Sequence, residues 1–377
     1  MNKIHTISKR LMQFAAMLIC LQLIFASCEK DDEVGIPSIK YVRLTTSPTP
    51  ITYANLGQTV AIIGQNLQTV KEVTFNGYPG SFKTTMVSDT SIVVKVSTDT
   101  PFIGVEANNE VALMTDGGTA AGTLEIAPPA PEIEALSPEY AGTGAEVVIT
   151  GNYFYDIESV MIGGASAQIM SVDPYFITVK VPEGYSKGKV EVTSSKSGTG
   201  TSSFDFGLNT GDIVLDWGSI WPNQGAWWNS SMDGPSTLFK SIGTSYKYID
   251  AVYGNTWWTH DGGIQFDATA NRTGTPAVKA LKFEYALIGD ATWMQILWKS
   301  SLGEYKYIIN GFTPTNGKWA TYTIPMTSFT LGDGGQQMPQ SVFEADNPVL
   351  VQFALVNSGN TDMTVKLALT NIRIVDK

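Results

Sequence analysis

An eleven-residue pattern in this chain occurs twice. Gly57-Gln58-Thr59-Val60-Ala61-Ile62-Ile63-Gly64-Gln65-Asn66-Leu67 is matched by Gly144-Ala145-Glu146-Val147-Val148-Ile149-Thr150-Gly151-Asn152-Tyr153-Phe154 at a constant offset of 87. Val73-Thr74-Phe75-Asn76-Gly77 and Val160-Met161-Ile162-Gly163-Gly164 keep that offset. Ser91-Ile92-Val93-Val94-Lys95-Val96 and Phe176-Ile177-Thr178-Val179-Lys180-Val181 follow at 85. A fixed period means a repeated supersecondary unit. Each copy reads as a strand, a tight Gly-Asn turn, a second strand with its own Asn-Gly or Gly-Gly turn, and a third strand. Gly and Asn tolerate the positive φ that such turns need.

The rest of the chain has the same texture. Short runs of Val, Ile, Thr, Tyr and Phe are punctuated by Gly, Asn, Asp and Pro, and no helical periodicity follows Ser27, so the fold class is all-β. The G-x-x-V-x-I-x-G-x-x-F/L core of both copies resembles the IPT/TIG family of immunoglobulin-like sandwiches, over 40–128 and 129–207. In the first copy Ile62-Ile63 stands where that family often has Ile-Thr. Pro128-Pro129-Ala130-Pro131 joins the copies, and consecutive prolines favour a stiff extended spacer. Nothing in either copy marks a binding site, so both read as a stalk.

At the other extreme is the N-terminus. Lys3, Lys9 and Arg10 precede an apolar stretch over 11–26, too short to be a comfortable membrane span. Its end, Phe25-Ala26-Ser27-Cys28, resembles a bacterial lipoprotein signal peptide (1–27), cleaved before a cysteine that takes lipid. The chain has two cysteines, and Cys20 lies in the segment to be removed, so no internal disulfide can form in the mature protein. The acidic run Glu29-Lys30-Asp31-Asp32-Glu33 opens a tether over 28–39. It resembles the surface-export signal of Bacteroidetes lipoproteins, which implies a lipid anchor in the outer membrane, facing outward.

The net charge is −11, and −14 without 1–27, with no basic cluster. That disfavours nucleic acid and acidic polysaccharides as ligands and points to a neutral one.

All nine tryptophans lie in 208–377. About 170 residues of alternating pattern there fit one jelly-roll-like two-sheet sandwich, with strands over 280–287, 292–299, 304–309, 318–324, 350–356 and 364–375. An indole has a flat apolar face that matches the C–H face of a pyranose, and its negative quadrupole attracts those hydrogens. Burying one aromatic face contributes ~1.5–3 kcal/mol, so a few stacked sugars give roughly millimolar to micromolar binding. Trp319 and Trp298 sit in regular strands and read as core. Trp293 shares a strand face with Gln295, which marks the wetter side. Two turn-rich segments, 219–229 and 253–263, read as loops and hold the remaining candidates: Trp221, Trp227, Trp228, Trp257 and Trp258, edged by Asn255, His260 and Asp261. Adjacent residues of extended chain face opposite ways, and which tryptophan of each pair meets the ligand stays open.

The order of parts resembles the surface glycan-binding lipoproteins of Bacteroidetes polysaccharide-utilisation loci: lipoprotein signal, tandem IPT-like domains, glycan-binding β-sandwich. In their xyloglucan- and β-glucan-binding members an aromatic platform holds the glycan. The resemblance therefore implies non-catalytic capture of a neutral polysaccharide, for a TonB-dependent transporter and its glycan-binding lipoprotein partner. Two rivals remain. A jelly-roll glycoside hydrolase needs paired carboxylates, but Glu284, Glu304 and Glu344 are isolated. A protein-binding adhesin or scaffold leaves the tryptophans unexplained. Structural Ca2+ is common in lectin-like sandwiches, but no ligand cluster stands out, so no metal or other cofactor is assigned.

Overall fold

The computed structural model describes residues 35–103, 106–208, 227–228, 232–254, 256–266, 274–289, 294–344, 349–357 and 361–377. It is an all-β chain of two compact units, divided between Ala127 and Pro128.

The first unit is a sandwich whose core includes Val60, Ile62, Val73, Phe75, Ile92 and Val94. The first part of the second unit repeats it. Strand Thr59–Gln65 has its counterpart in Glu146–Asn152, and the two four-stranded sheets of the second copy keep the strand order of the first, which adds an edge strand, Pro50–Ile51, and a two-stranded sheet. The turns also repeat: Asn76 and Gly77 take φ of 50° and 76°, Gly163 and Gly164 of 54° and 82°. The second glycine of each motif has a steric reason. A Cβ on Gly64 would lie 1.9 Å from the Ser38 carbonyl oxygen, and one on Gly151 1.9 Å from that of Glu132. Only glycine lets the preceding strand come so close.

The third sandwich follows in the same unit. Its strands are β1 (Trp227–Trp228), β2 (Met232–Asp233), β3 (Lys247–Tyr253), β4 (Thr256–Phe266), β5 (Lys279–Ile288), β6 (Met294–Ser300), β7 (Gly303–Ile309), β8 (Ala320–Pro325), β9 (Thr330–Leu331), β10 (Val349–Asn357) and β11 (Met363–Asp376). One sheet runs β1-β4-β10-β6-β7-β9, the other β2-β3-β11-β5-β8. Between them lies an apolar core that includes Phe283, Leu287, Ile296, Trp298, Phe353 and Leu367. Trp298 is fully buried there and stacks on Phe343, with ring centroids 5.5 Å apart. Among the described residues the only α-helix is the single turn Gln340–Phe343.

The sequence divided 129–207 from 208–377, yet the two sandwiches share a core. Leu136, Ala141, Val147 and Ile149 of the second cluster with Phe239, Ile242, Tyr246, Ala286, Trp319 and Ala368 of the third. Trp319 is thus buried in this seam rather than inside its own sandwich. Its Nε1–H donates to the Lys240 carbonyl at 2.7 Å, and its ring meets Tyr246 edge-on at 5.2 Å. Backbones meet as well. Gly142 N–H donates to Ile242 O at 2.8 Å, and Glu139 N–H to Thr321 Oγ1 at 2.7 Å. A Cβ on Gly142 would lie 2.2 Å from the Gly243 carbonyl oxygen.

Candidate functional site

Two segments read as loops from the sequence contain neighbouring strands. β4 pairs antiparallel with β10, and β1 adds to the outer edge of β4, with Trp227 opposite Gly263 and Trp228 opposite Gly262. The strand carrying Trp257 and Trp258 therefore lies beside the strand made of Trp227 and Trp228, at one edge of the six-stranded sheet. Asp261-Gly262-Gly263, a turn signal in isolation, is mid-strand. Strand preference depends heavily on the neighbour, and the apolar β10 provides one.

Register sorts the residues into rows. The Trp228 row continues through Gly262, Phe353, Ile296 and Tyr307, and Phe353 and Ile296 are core. The Trp227 row continues through Gly263, Gln352, Leu297 and Lys306, on the opposite face. Likewise Asp261 shares its row with Ala354, Gln295 and Ile308, while His260 shares one with Leu355 and Met294, both core. Between Thr256 and His260 the pairing shifts, with four steps on β4 facing two on β10, so Trp257 and Trp258 lie in an irregularity of the ladder. Bulges of this kind re-aim side chains at sheet edges.

Gln295 needs a correction. It does lie on the face away from the sandwich core, as its pattern implied. That face is not open at its centre, because Gln295 is only 7% exposed and Leu297, Gln352 and Ala354 beside it are buried too. Alternation in a strand reports which face a residue takes, not what covers that face. Trp221, Trp293, Asn255 and Cys28 lie outside the described residues.

The carboxylates weighed as catalytic candidates are engaged separately. Glu284 is fully buried in a bidentate pair with Arg373, at 2.7 Å (Nη1–Oε2) and 2.8 Å (Nη2–Oε1), and accepts a third bond from Thr321 Oγ1 at 3.0 Å. Burial pushes its carboxyl above the ordinary carboxylate value, and the Arg373 guanidinium pulls it back down. Glu304 pairs with Lys299 at 3.3 Å, and Glu344 accepts from Gly274 N–H at 2.7 Å. Among the described residues no three His, Cys, Asp or Glu converge on a metal-sized space.

With that geometry in view, known proteins align with the chain. Residues 206–376 match the family model of the surface glycan-binding protein B xyloglucan binding domain, and residues 131–207 match the IPT/TIG domain. An IPT/TIG domain-containing protein of Bacteroides ovatus is 29% identical over 152 residues, 39% of this chain. The match spans 31% of that relative's length. Among solved structures, SGBP-B from a complex xyloglucan utilization locus in Bacteroides uniformis superposes with a TM-score of 0.54 at 17% identity, covering 90% of this chain and 99% of that one. The surface glycan-binding protein PbSGBP-B from Prevotella bryantii gives 0.48 at 20% identity, covering 91% and 99%. The first of these supports the three-sandwich fold. The chain thus carries a match to the IPT/TIG domain that leads directly into a match to the xyloglucan binding domain of surface glycan-binding protein B.

Proposed function

We propose that this protein is a non-catalytic, cell-surface binder of a neutral polysaccharide of the β-glucan or xyloglucan type. One observation carries the reading: β1 and β4 put two Trp-Trp pairs on adjacent strands at one sheet edge, inside the region that matches a xyloglucan-binding domain. The contacts are Trp227 and one of Trp257 and Trp258, with Asp261 at the rim, because the rows of Trp227 and Asp261 run away from the core. Trp228 and His260 share the core-side rows and take the supporting part, Gln295 lies in the row of Asp261 on the ligand side but is buried, and Trp221, Trp293 and Asn255 are kept as further candidate contacts. The separate engagement of Glu284, Glu304 and Glu344 fits binding without hydrolysis.

Affinity electrophoresis through xyloglucan and mixed-linkage β-glucan gels tests this. Trp227→Ala and one of Trp257→Ala and Trp258→Ala are each expected to weaken binding by ~1–3 kcal/mol, about ten- to a hundred-fold, with no reducing ends released by the wild type on long incubation. Normal binding by Trp227→Ala, Trp257→Ala and Trp258→Ala alike would sink the edge assignment, and released sugars would sink the binding function.

Anchoring belongs to the same reading. Cys28 carries the lipid, the acidic tether sends the protein outward, and capture feeds a TonB-dependent transporter with its partner lipoprotein. Cys28→Ala is expected to move the protein from the membrane to the soluble fraction. Wild-type protein shielded from protease on intact cells would contradict a surface location.

A further inference from the structure

A cleft of about 810 Å3 runs along the seam between the second and third sandwiches, lined by none of the residues of the tryptophan edge. Its floor is the outward face of the second sandwich's sheet, crossed by the row Ser137–Val148–Thr178–Ser171. Its wall comes from 235–241 and 316–319 of the third. Hydroxyls and an amide line it, from Thr178, Ser236, Thr237 and Asn316, beside the apolar Val148 and Met170. The Glu146 carboxylate is neutralised by Lys240 Nζ at 2.7 Å, so this pair adds no net charge to the cleft. A cleft of this size with mixed lining suits a small ligand or one stretch of a longer one.

A second observation points to the same ligand chemistry. One row further along the floor stands Phe176, opposite Thr150 and Asp173. It is 50% exposed, and Tyr175 beside it in the hairpin turn is 57% exposed. Met170, on the cleft rim, is 46% exposed. Asp173 Oδ1 accepts from Tyr175 N–H at 3.0 Å and fixes the turn. Two exposed aromatics at the end of this sheet, near a cleft lined by hydroxyls and carrying the single further charge of Lys318, fit a ligand that is apolar on one face and hydroxylated at its edges.

We propose that this seam cleft, extended by Phe176 and Tyr175, is a second contact site for a neutral polysaccharide chain, separate from the tryptophan edge. It makes the second sandwich part of the binding surface rather than a plain stalk. Two sites on one rigid unit raise the avidity for a long chain without tightening either.

The test uses the full chain in xyloglucan and mixed-linkage β-glucan gels. Ser171 and Phe176 are both exposed, so substitutions there spare the fold, as an unchanged Tm will verify. Ser171→Arg, which fills the cleft, and Phe176→Ala are each expected to weaken retardation about three- to ten-fold. If Ser171→Arg melts early, Phe176→Ala decides. Wild-type retardation by both variants, or no retardation of the wild type in either gel, overturns the proposal. Trp227→Ala is run in parallel: loss there with none in the cleft variants removes the cleft and leaves the tryptophan edge standing.

Discussion

Residues 208–377 expressed alone are expected to aggregate or to melt far below the intact protein, whereas 128–377 folds cooperatively. Cutting at 208 bares Phe239, Ile242, Tyr246 and Trp319 together with Ala286 and Ala368, all buried against the second sandwich or in its cluster. Large side chains are worth ~1.5–3 kcal/mol each when fully buried, so exposing several removes much of a stability of ~5–15 kcal/mol. The cut also removes the backbone bonds that Glu139 and Gly142 donate across the seam. Calorimetric melting and light scattering of the two fragments measure the difference. A soluble 208–377 that melts with the intact protein would show that the seam contributes little.

Arg373→Ala is expected to be the most damaging single substitution near the seam. It leaves the fully buried Glu284 carboxylate with only Thr321 as a partner, and removes the guanidinium that lies 5.9 Å from the Tyr140 ring centroid. Breaking a buried pair on one side costs ~3–5 kcal/mol, and at 2–4 °C per kcal/mol in a unit of this size the Tm drops by roughly 6–20 °C. Replacing both partners, Glu284→Leu with Arg373→Met, is expected to recover most of that loss, because no charge is then left buried alone. A double variant as unstable as the single one would mean that packing around the pair, not its charge, holds this region.

Much of the architecture was legible beforehand because it is local. The runs over 280–287, 304–309 and 364–375 announce β5, β7 and β11 by their alternation, and the offset of 87 recurs as matching strands and matching positive-φ turns. Trp298 was readable as core from its side of β6, since Met294 and Ile296 mark that face. The second face of β6 was not, because Gln295 signals water whereas the surrounding chain buries it. Nor was β4, whose Asp261-Gly262-Gly263 carries turn chemistry and becomes strand only beside β10.

The sequence by itself determined the fold class, the repeat, the segment holding every indole, and the absence of charge suited to an anionic ligand. Those follow from periodicity, composition and turn residues, which are read along the chain without knowing which segments meet. The tertiary structure alone decided that the two Trp-Trp segments are neighbouring edge strands and that Trp227, not Trp228, shares its row with Gln352. It alone decided that the second and third sandwiches close over one core. Strand pairing and seams join residues far apart in the chain, as Ser137 and Trp319 meet at 3.3 Å across 182 positions. Which surfaces find each other is set by the fit of whole faces, and no window of sequence contains both halves of such a fit.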